Sequence, residues 1–237
     1  MALILGVDTS AKPVSCALVQ DDRVLASFFA NTGLTHSQTL MPMVENLLNV
    51  SGKTVADLDA IAVNAGPGSF TGVRIGVSAV KGLAFTHTLP CISVSTLEAM
   101  AENVKIAPQS VICCLMDARC HQVYGALFRV DDGGELHRLT DDDAVTVEQM
   151  GERIAALNQS VVLVGDGSEM CYNEWRDTLS CVSLAPPTVR YQNAAATALI
   201  GARRFCEGAV VSEEELLPTY LRLPQAEREL NARLNNK

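Results

Sequence analysis

The chain has 237 residues, 48% of them apolar, which is enough material for one large domain or two small ones around a buried core. Its 18 Lys and Arg against 27 Asp and Glu leave a net charge of −9. With the basic residues scattered, that surface repels phosphate and argues against strong independent binding to nucleic acid. No apolar run approaches the roughly 18 residues of a membrane span, and the opening MALILGVDTS has neither a basic leader nor a cleavage-type ending; the expected location is the cytosol, away from any membrane.

The eight cysteines form no Cys-x-x-Cys pair and most lie in apolar surroundings, where a thiol behaves as a small hydrophobe. Reduced structural thiols are expected. The four histidines, His36, His87, His121 and His137, offer no spacing that sets two imidazoles on one helix face, so no protein metal site is expected.

Along the chain, apolar runs Leu3–Val7, Val14–Val19 and Val24–Phe29 are separated by the turns DTSAKP and QDDR, which predicts a three-stranded meander. HSQTLMPMVENLLNV follows with helical spacing and Gly52 as its stop. A strand over Ala60–Val63 leads into NAGPGSFTGVRIG, then a helix from about Gly72 to Phe85. Downstream the order returns: strand Val111–Met116, turn DARC, strand Val123–Val130, turn DDGG, a short strand from Leu136, a helix over Val147–Leu157, and the strand VVLVGDG. Asp8 and Asp117 end equivalent strands, as do GPG at 66–68 and GDG at 165–167. Two tandem βββαβα units of about 110 residues predict a duplicated α/β fold of the actin-like, sugar-kinase-like (ASKHA) kind, two lobes facing across a cleft. The first lobe is expected to be 1–105 and the second 106–237, which includes a helix over Ala194–Phe205 and a charged tail expected to be mobile in its last dozen residues.

Four places invite chemistry. SGKT at 51–54 ends like a phosphate-binding P-loop, but Leu47 stands where the first glycine is required, and Gly52 reads as a helix cap. Asp8, Thr9 and Ser10 stand where a hydrated Mg²⁺ and a phosphate would be held, yet these are also ordinary turn residues. In the glycine stretch, Gly66, Gly68 and Ser69 read as a phosphate loop or its relic, and Ser69 or Thr71 as the cap of the next helix, whose N-terminus favours anions. That helix carries a core stripe of Val73, Val77, Val80 and Ala84 beside a stripe of small residues, Gly72, Gly76 and Ala79. Each interior glycine costs about 1 kcal/mol relative to alanine, so close packing against another helix is expected to compensate, either the Leu40–Leu48 helix of this chain or one of another molecule. Asp166 reads as a phosphate contact or as an Asp-Gly turn.

GPGSFTGVRIG, together with VDTS (7–10), THSQTLMPMV (35–44), ISVSTLEAMA (92–101), DARCHQVYGALF (117–128) and LPTYLR (217–222), strongly resembles the bacterial TsaB family, formerly YeaZ, over nearly the whole chain. The tail after Arg222 departs most from that pattern. The resemblance implies an actin-like fold with degenerate nucleotide chemistry and no cofactor of its own, ATP or ADP with Mg²⁺ belonging to an assembled complex. It further implies a non-catalytic partner of a TsaD-like enzyme, joined by a TsaE-like ATPase, in making threonylcarbamoyladenosine at position 37 of tRNAs reading ANN codons. tRNA would be reached only through that complex. The helices carrying His36 and Met43, and Arg74, Ile75 and Ser78, would build the contact with TsaD, or with a second copy in a homodimer. His36 reads equally as a solvated residue near a helix start. In that scheme Gly72, Gly76 and Ala79 lie in the interface, and Gly76→Arg would leave the monomer folded while abolishing association. The competing expectation is a stand-alone Mg-ATP-dependent phosphotransferase built on Asp8 and GDG. A peptidase has no metal pair to support it.

Overall fold

The computed structural model describes residues 1–105 and 107–222. In the first repeat, β1 (Leu3–Asp8), β2 (Val14–Gln20) and β3 (Arg23–Ala30) form the antiparallel meander. Helix α1 (His36–Val50) crosses to β4 (Ala60–Gly66), and α2 (Phe70–His87) leads to β5 (Cys91–Ser95) and α3 (Thr96–Asn103). β4 lies parallel to β1 and β5 parallel to β4, giving the order β3-β2-β1-β4-β5. The second repeat has β6 (Val111–Asp117), β7 (Gln122–Val130), β8 (Leu136–Arg138), β9 (Asp143–Thr146), α4 (Val147–Leu157), β10 (Val161–Val164), α5 (Ser168–Trp175) and β11 (Val182–Leu184). Its sheet runs β11-β10-β6-β7-β8, with β9 also on β7. Read from the other edge, this is the order of the first sheet, so the duplication expected from the strand-ending aspartates is present in space.

The helix stops follow local chemistry. Gly52 sits just past α1 with φ +61°, the left-handed conformation that glycine adopts without a Cβ penalty. Ser69 caps α2, its hydroxyl accepting from the Gly72 amide at 3.3 Å, and Thr146 with Gln149 forms a reciprocal box at the start of α4. Starting at Phe70, α2 begins two residues before the expected Gly72.

The central strands of each sheet, β1 and β4 in the first and β6 in the second, are buried on both faces. Leu3, Leu5 and Val7 face α1 and α2 with Val44, Leu47, Val77 and Val80. On the opposite face Ile4, Val19, Ala60 and Ala62 meet α6 (Ala194–Cys206), which comes from the second repeat. Its alanines allow close approach: a side chain at Gly6 would overlap the Ala194 carbonyl, and one at Gly201 would strike Ala62 and Ile4. Reciprocally, Leu97, Met100 and Ala101 of α3 pack under Ile112, Cys114 and Phe128 of the second sheet. The expected boundary at residue 105 therefore separates the two sheets but not the two lobes: the repeats exchange their last helices, and the chain from Ala194 to Arg222 returns to the first lobe. The mobile tail expected after Arg222 falls outside the described residues.

The cysteine thiols at 16, 91, 113, 114 and 171 are buried. Burial pushes those of Cys16 and Cys171 up to about 12, as fits thiols that serve as packing.

Candidate functional site

The strand-end loops meet at a cleft of about 420 Å³ between the lobes. Its walls include Ser10, Lys12, Gly68 and Ser69 from the first lobe and Asp117 and Asp166 from the second. Topology explains this convergence, since both repeats end their first and fourth strands on the same side.

On the first-lobe wall the two loops are locked together. The Ser69 amide donates to the Ser10 carbonyl at 2.7 Å, and the Thr9 hydroxyl to the Gly72 carbonyl at 2.7 Å. Side chains at Gly68 and Gly72 would overlap the carbonyl oxygens of Ser10 and Thr9. Glycine is required here so that one loop can lie on the other. Asp8 is fully buried, its Oδ1 accepting from the Ser10 amide at 2.8 Å and hydroxyl at 2.6 Å, while Oδ2 has no partner. Burial raises its pKa, against opposing pulls from Ser10, Asn64 and His36. Asp8 does not line the cleft, so the first-lobe loops do not fit a nucleotide's Mg²⁺ as they stand.

The second-lobe wall is looser. The Asp117 amide donates to Asp166 Oδ1 at 3.2 Å, and Arg119 is paired with Asp117 at 3.3 Å. Burial also raises the Asp166 pKa, with Asp117 adding to the rise and Lys12 opposing it. Gly165 has φ +100° and stands on the Leu115 carbonyl; Asp166 thus staples the turn to the end of β6 while facing the cleft.

A second concavity, about 520 Å³, is a groove between α1 and α2 on the outer side of the first lobe. It brings together His36, Arg74, Ile75, Ser78 and Ala79 with Leu40 and Met41. His36 is half-buried rather than solvated, its Nε2 donating to the Ala11 carbonyl at 2.7 Å and its Nδ1 buried without a partner. Met43 packs on the core instead of lining the groove.

Gly72 and Gly76 require a correction. Both are buried, and a side chain at Gly76 would overlap the Thr9 hydroxyl. What compensates these glycines is neither a neighbouring helix nor another molecule but the Thr9 turn of the same chain. Gly76→Arg would therefore disrupt the fold and is no test of association. Gly82, by contrast, faces open space.

The sequence reading missed one element of the site. The segment 212–222, which opens with a turn at 213–215, runs back along α2: Lys81 Nζ donates to the Glu214 and Leu216 carbonyls at 3.2 and 3.1 Å, and the Thr219 amide to the Ala65 carbonyl at 2.7 Å. Gly66, φ +126°, lies against the Thr219 carbonyl. Tyr220 stacks on Phe70 with ring centroids 5.1 Å apart, and Arg222 reaches the Ala118 carbonyl of the second lobe at 3.0 Å. The motif LPTYLR carried a signal, but not its destination.

With this geometry in view, the likeness to known proteins is specific. The chain is 36% identical over 223 residues to the tRNA threonylcarbamoyladenosine biosynthesis protein TsaB of Escherichia coli, covering 92% of this chain and 94% of that one. The chain belongs to the TsaB family. The Bacillus subtilis TsaB is 32% identical, covering 94% and 96%. YeaZ from Pseudomonas aeruginosa superposes with a TM-score of 0.78 at 30% identity, covering 93% of this chain and 100% of that one. The family model for TsaD, tRNA N6-adenosine threonylcarbamoyltransferase, matches residues 30–229. A threonylcarbamoyltransferase of that name from Zymomonas mobilis is 30% identical over 162 residues, but the match spans only 45% of its length. The activator of 2-hydroxyisocaproyl-CoA dehydratase from Clostridium difficile, at 13% identity and TM-score 0.50, shares the actin-like fold alone. No helix among the described residues is long and apolar enough to cross a membrane.

Proposed function

We propose that this chain is the non-catalytic subunit that binds and activates a TsaD-like threonylcarbamoyltransferase, with a TsaE-like ATPase joining the complex, for threonylcarbamoylation of adenosine 37 in tRNAs reading ANN codons. The observation that carries this reading is the closure of the first-lobe loops, in which the Ser69 amide is taken by the Ser10 carbonyl and Asp8 is withdrawn from the cleft. The open concavity on the outer helices supports docking there, on the TsaD-like partner or on a second copy of the chain when that partner is absent. The chain brings no cofactor of its own, ATP or ADP with Mg²⁺ entering only with the assembled complex, and a net charge of −9 leaves tRNA to be reached through the partner.

Light scattering during gel filtration of the chain alone, and then mixed with the TsaD-like protein of the same organism, tests the reading. A homodimer giving way to a mixed complex is expected. Ser78→Arg, at an exposed groove position, should stay folded and abolish that complex. Independent elution with and without Mg-ATP would overturn the proposal. The placement of Lys12, Asp117 and Asp166 on the cleft walls supports a second reading, an Mg-ATP-dependent phosphotransferase in the cytoplasm; an absence of ATP hydrolysis by the purified chain removes it.

A further inference from the structure

Arg74 stands out in an acidic protein. It is exposed on the rim of the α1–α2 groove, and among the described residues no carboxylate pairs with it and none lines the groove. Instead its guanidinium lies over the Phe70 ring, 3.9 Å from the centroid, and its Nε donates to the Tyr220 hydroxyl at 2.7 Å. The Tyr220 ring is itself 5.7 Å from the guanidinium and stacks on Phe70. Such stacking is worth about 0.5–1 kcal/mol at an exposed site, and it holds a side chain that otherwise surrenders rotamer freedom on binding. With Nε occupied, the two terminal nitrogens form the free edge of the fork, the geometry that receives a carboxylate end-on.

We propose that Arg74 reads the occupant of this groove: it receives a carboxylate side chain from the TsaD-like segment that docks between α1 and α2, and Tyr220 is the positioning residue that presents it. This rests on the partner reading above and deepens it, by specifying an apolar segment that carries an acidic residue opposite Arg74. Among the described residues that line the groove beside Leu40, Met41, Ile75 and Ala79, Arg74 is the one Lys or Arg, so a carboxylate complements the site there. Because Tyr220 also lines the inter-lobe cleft, the return segment bears on both concavities.

The test is calorimetric titration of the purified full-length chain with the TsaD-like protein at low and high salt. Arg74→Gln is expected to raise Kd about tenfold at low salt, the scale of a lost charge-assisted hydrogen bond, and to flatten the salt dependence. Arg74→Lys should recover only part of the affinity, because an ammonium neither stacks nor forks. Tyr220→Phe, which keeps the ring and removes the acceptor of the Nε bond, should raise Kd about threefold in the parent and not at all in the Arg74→Gln background. Both residues are exposed, and matching thermal melts verify that the variants fold. An unchanged Kd for Arg74→Gln, with Ser78→Arg still abolishing binding, overturns the carboxylate contact and leaves the groove as the docking site. If Ser78→Arg also binds normally, the groove is not the docking site and the Arg74 contact falls with it, while the partner reading, which rests on complex formation itself, stands. Equal losses from Tyr220→Phe in both backgrounds overturn the positioning role.

Discussion

The two loop pairs at the cleft descend from the same topology and have different fates. GPG and GDG each follow a fourth strand, and Gly66 and Gly165 share a positive φ of 126° and 100°. Two residues on, the pairs diverge. At Gly68 a side chain would overlap the Ser10 carbonyl, whereas at Gly167 the nearest atoms, the Asp117 nitrogen and Met116 carbonyl carbon, are 3.1 Å away. The first lobe packs one loop onto the other and buries Asp8; the second keeps its counterpart Asp117, with Asp166 beside it, on the cleft wall. In a duplicated fold strand order is held by the core, while the loops at the strand ends are free to make different contacts.

The sharpest way to break the comparison is alanine at the paired glycines. Gly68→Ala should cost about 2–4 kcal/mol in urea unfolding, since backbone must move to admit the methyl group, and Gly167→Ala about 1 kcal/mol. Equal losses would mean that the first-lobe closure is not tight. Next in size is Thr9→Val, which keeps the shape and removes the hydroxyl donor to the Gly72 carbonyl; about 1 kcal/mol should be lost. The smallest effect is a slope. Burial raises the Asp8 pKa above 3.8, so the folded chain holds that proton to higher pH than the unfolded chain. Its contribution to stability is greatest below 3.8 and declines as pH rises through the folded value. Asp8→Asn removes this term while other carboxylates titrate as before, so the variant should gain on the parent across that window. Parallel stability profiles would show that Asp8 is not desolvated.

The meanders, α1, α2 and the tandem order were legible because each has a local period and a stop of known chemistry, such as Gly52 after Leu47 and Leu48. The exchange of α3 and α6 was not, since the run of alanines at 194–198 shows a need for close packing but not against which sheet. For the same reason the small stripe at Gly72 and Gly76 signalled an approach, and the approaching atom was on Thr9, more than sixty residues earlier. α5, β9 and β11, at three to eight residues, are too short to show a period. Of the residues assigned to the groove, His36, Arg74, Ile75, Ser78 and Ala79 gather around it, whereas the part played by Tyr220 depends on a return path that no local pattern encodes.

The exchanged helices also set the order in which the chain becomes a protein. As synthesis proceeds from the N-terminus, the first sheet is complete once Ser95 has emerged, yet the face bearing Ile4, Val19, Ala60, Ala62 and Ile92 lacks all cover but Ala99 of α3 until α6 follows. About a hundred further residues must be made in that interval, several seconds at common rates of translation. A nascent chain stalled before Ala194 would therefore leave most of one aliphatic sheet face open to water.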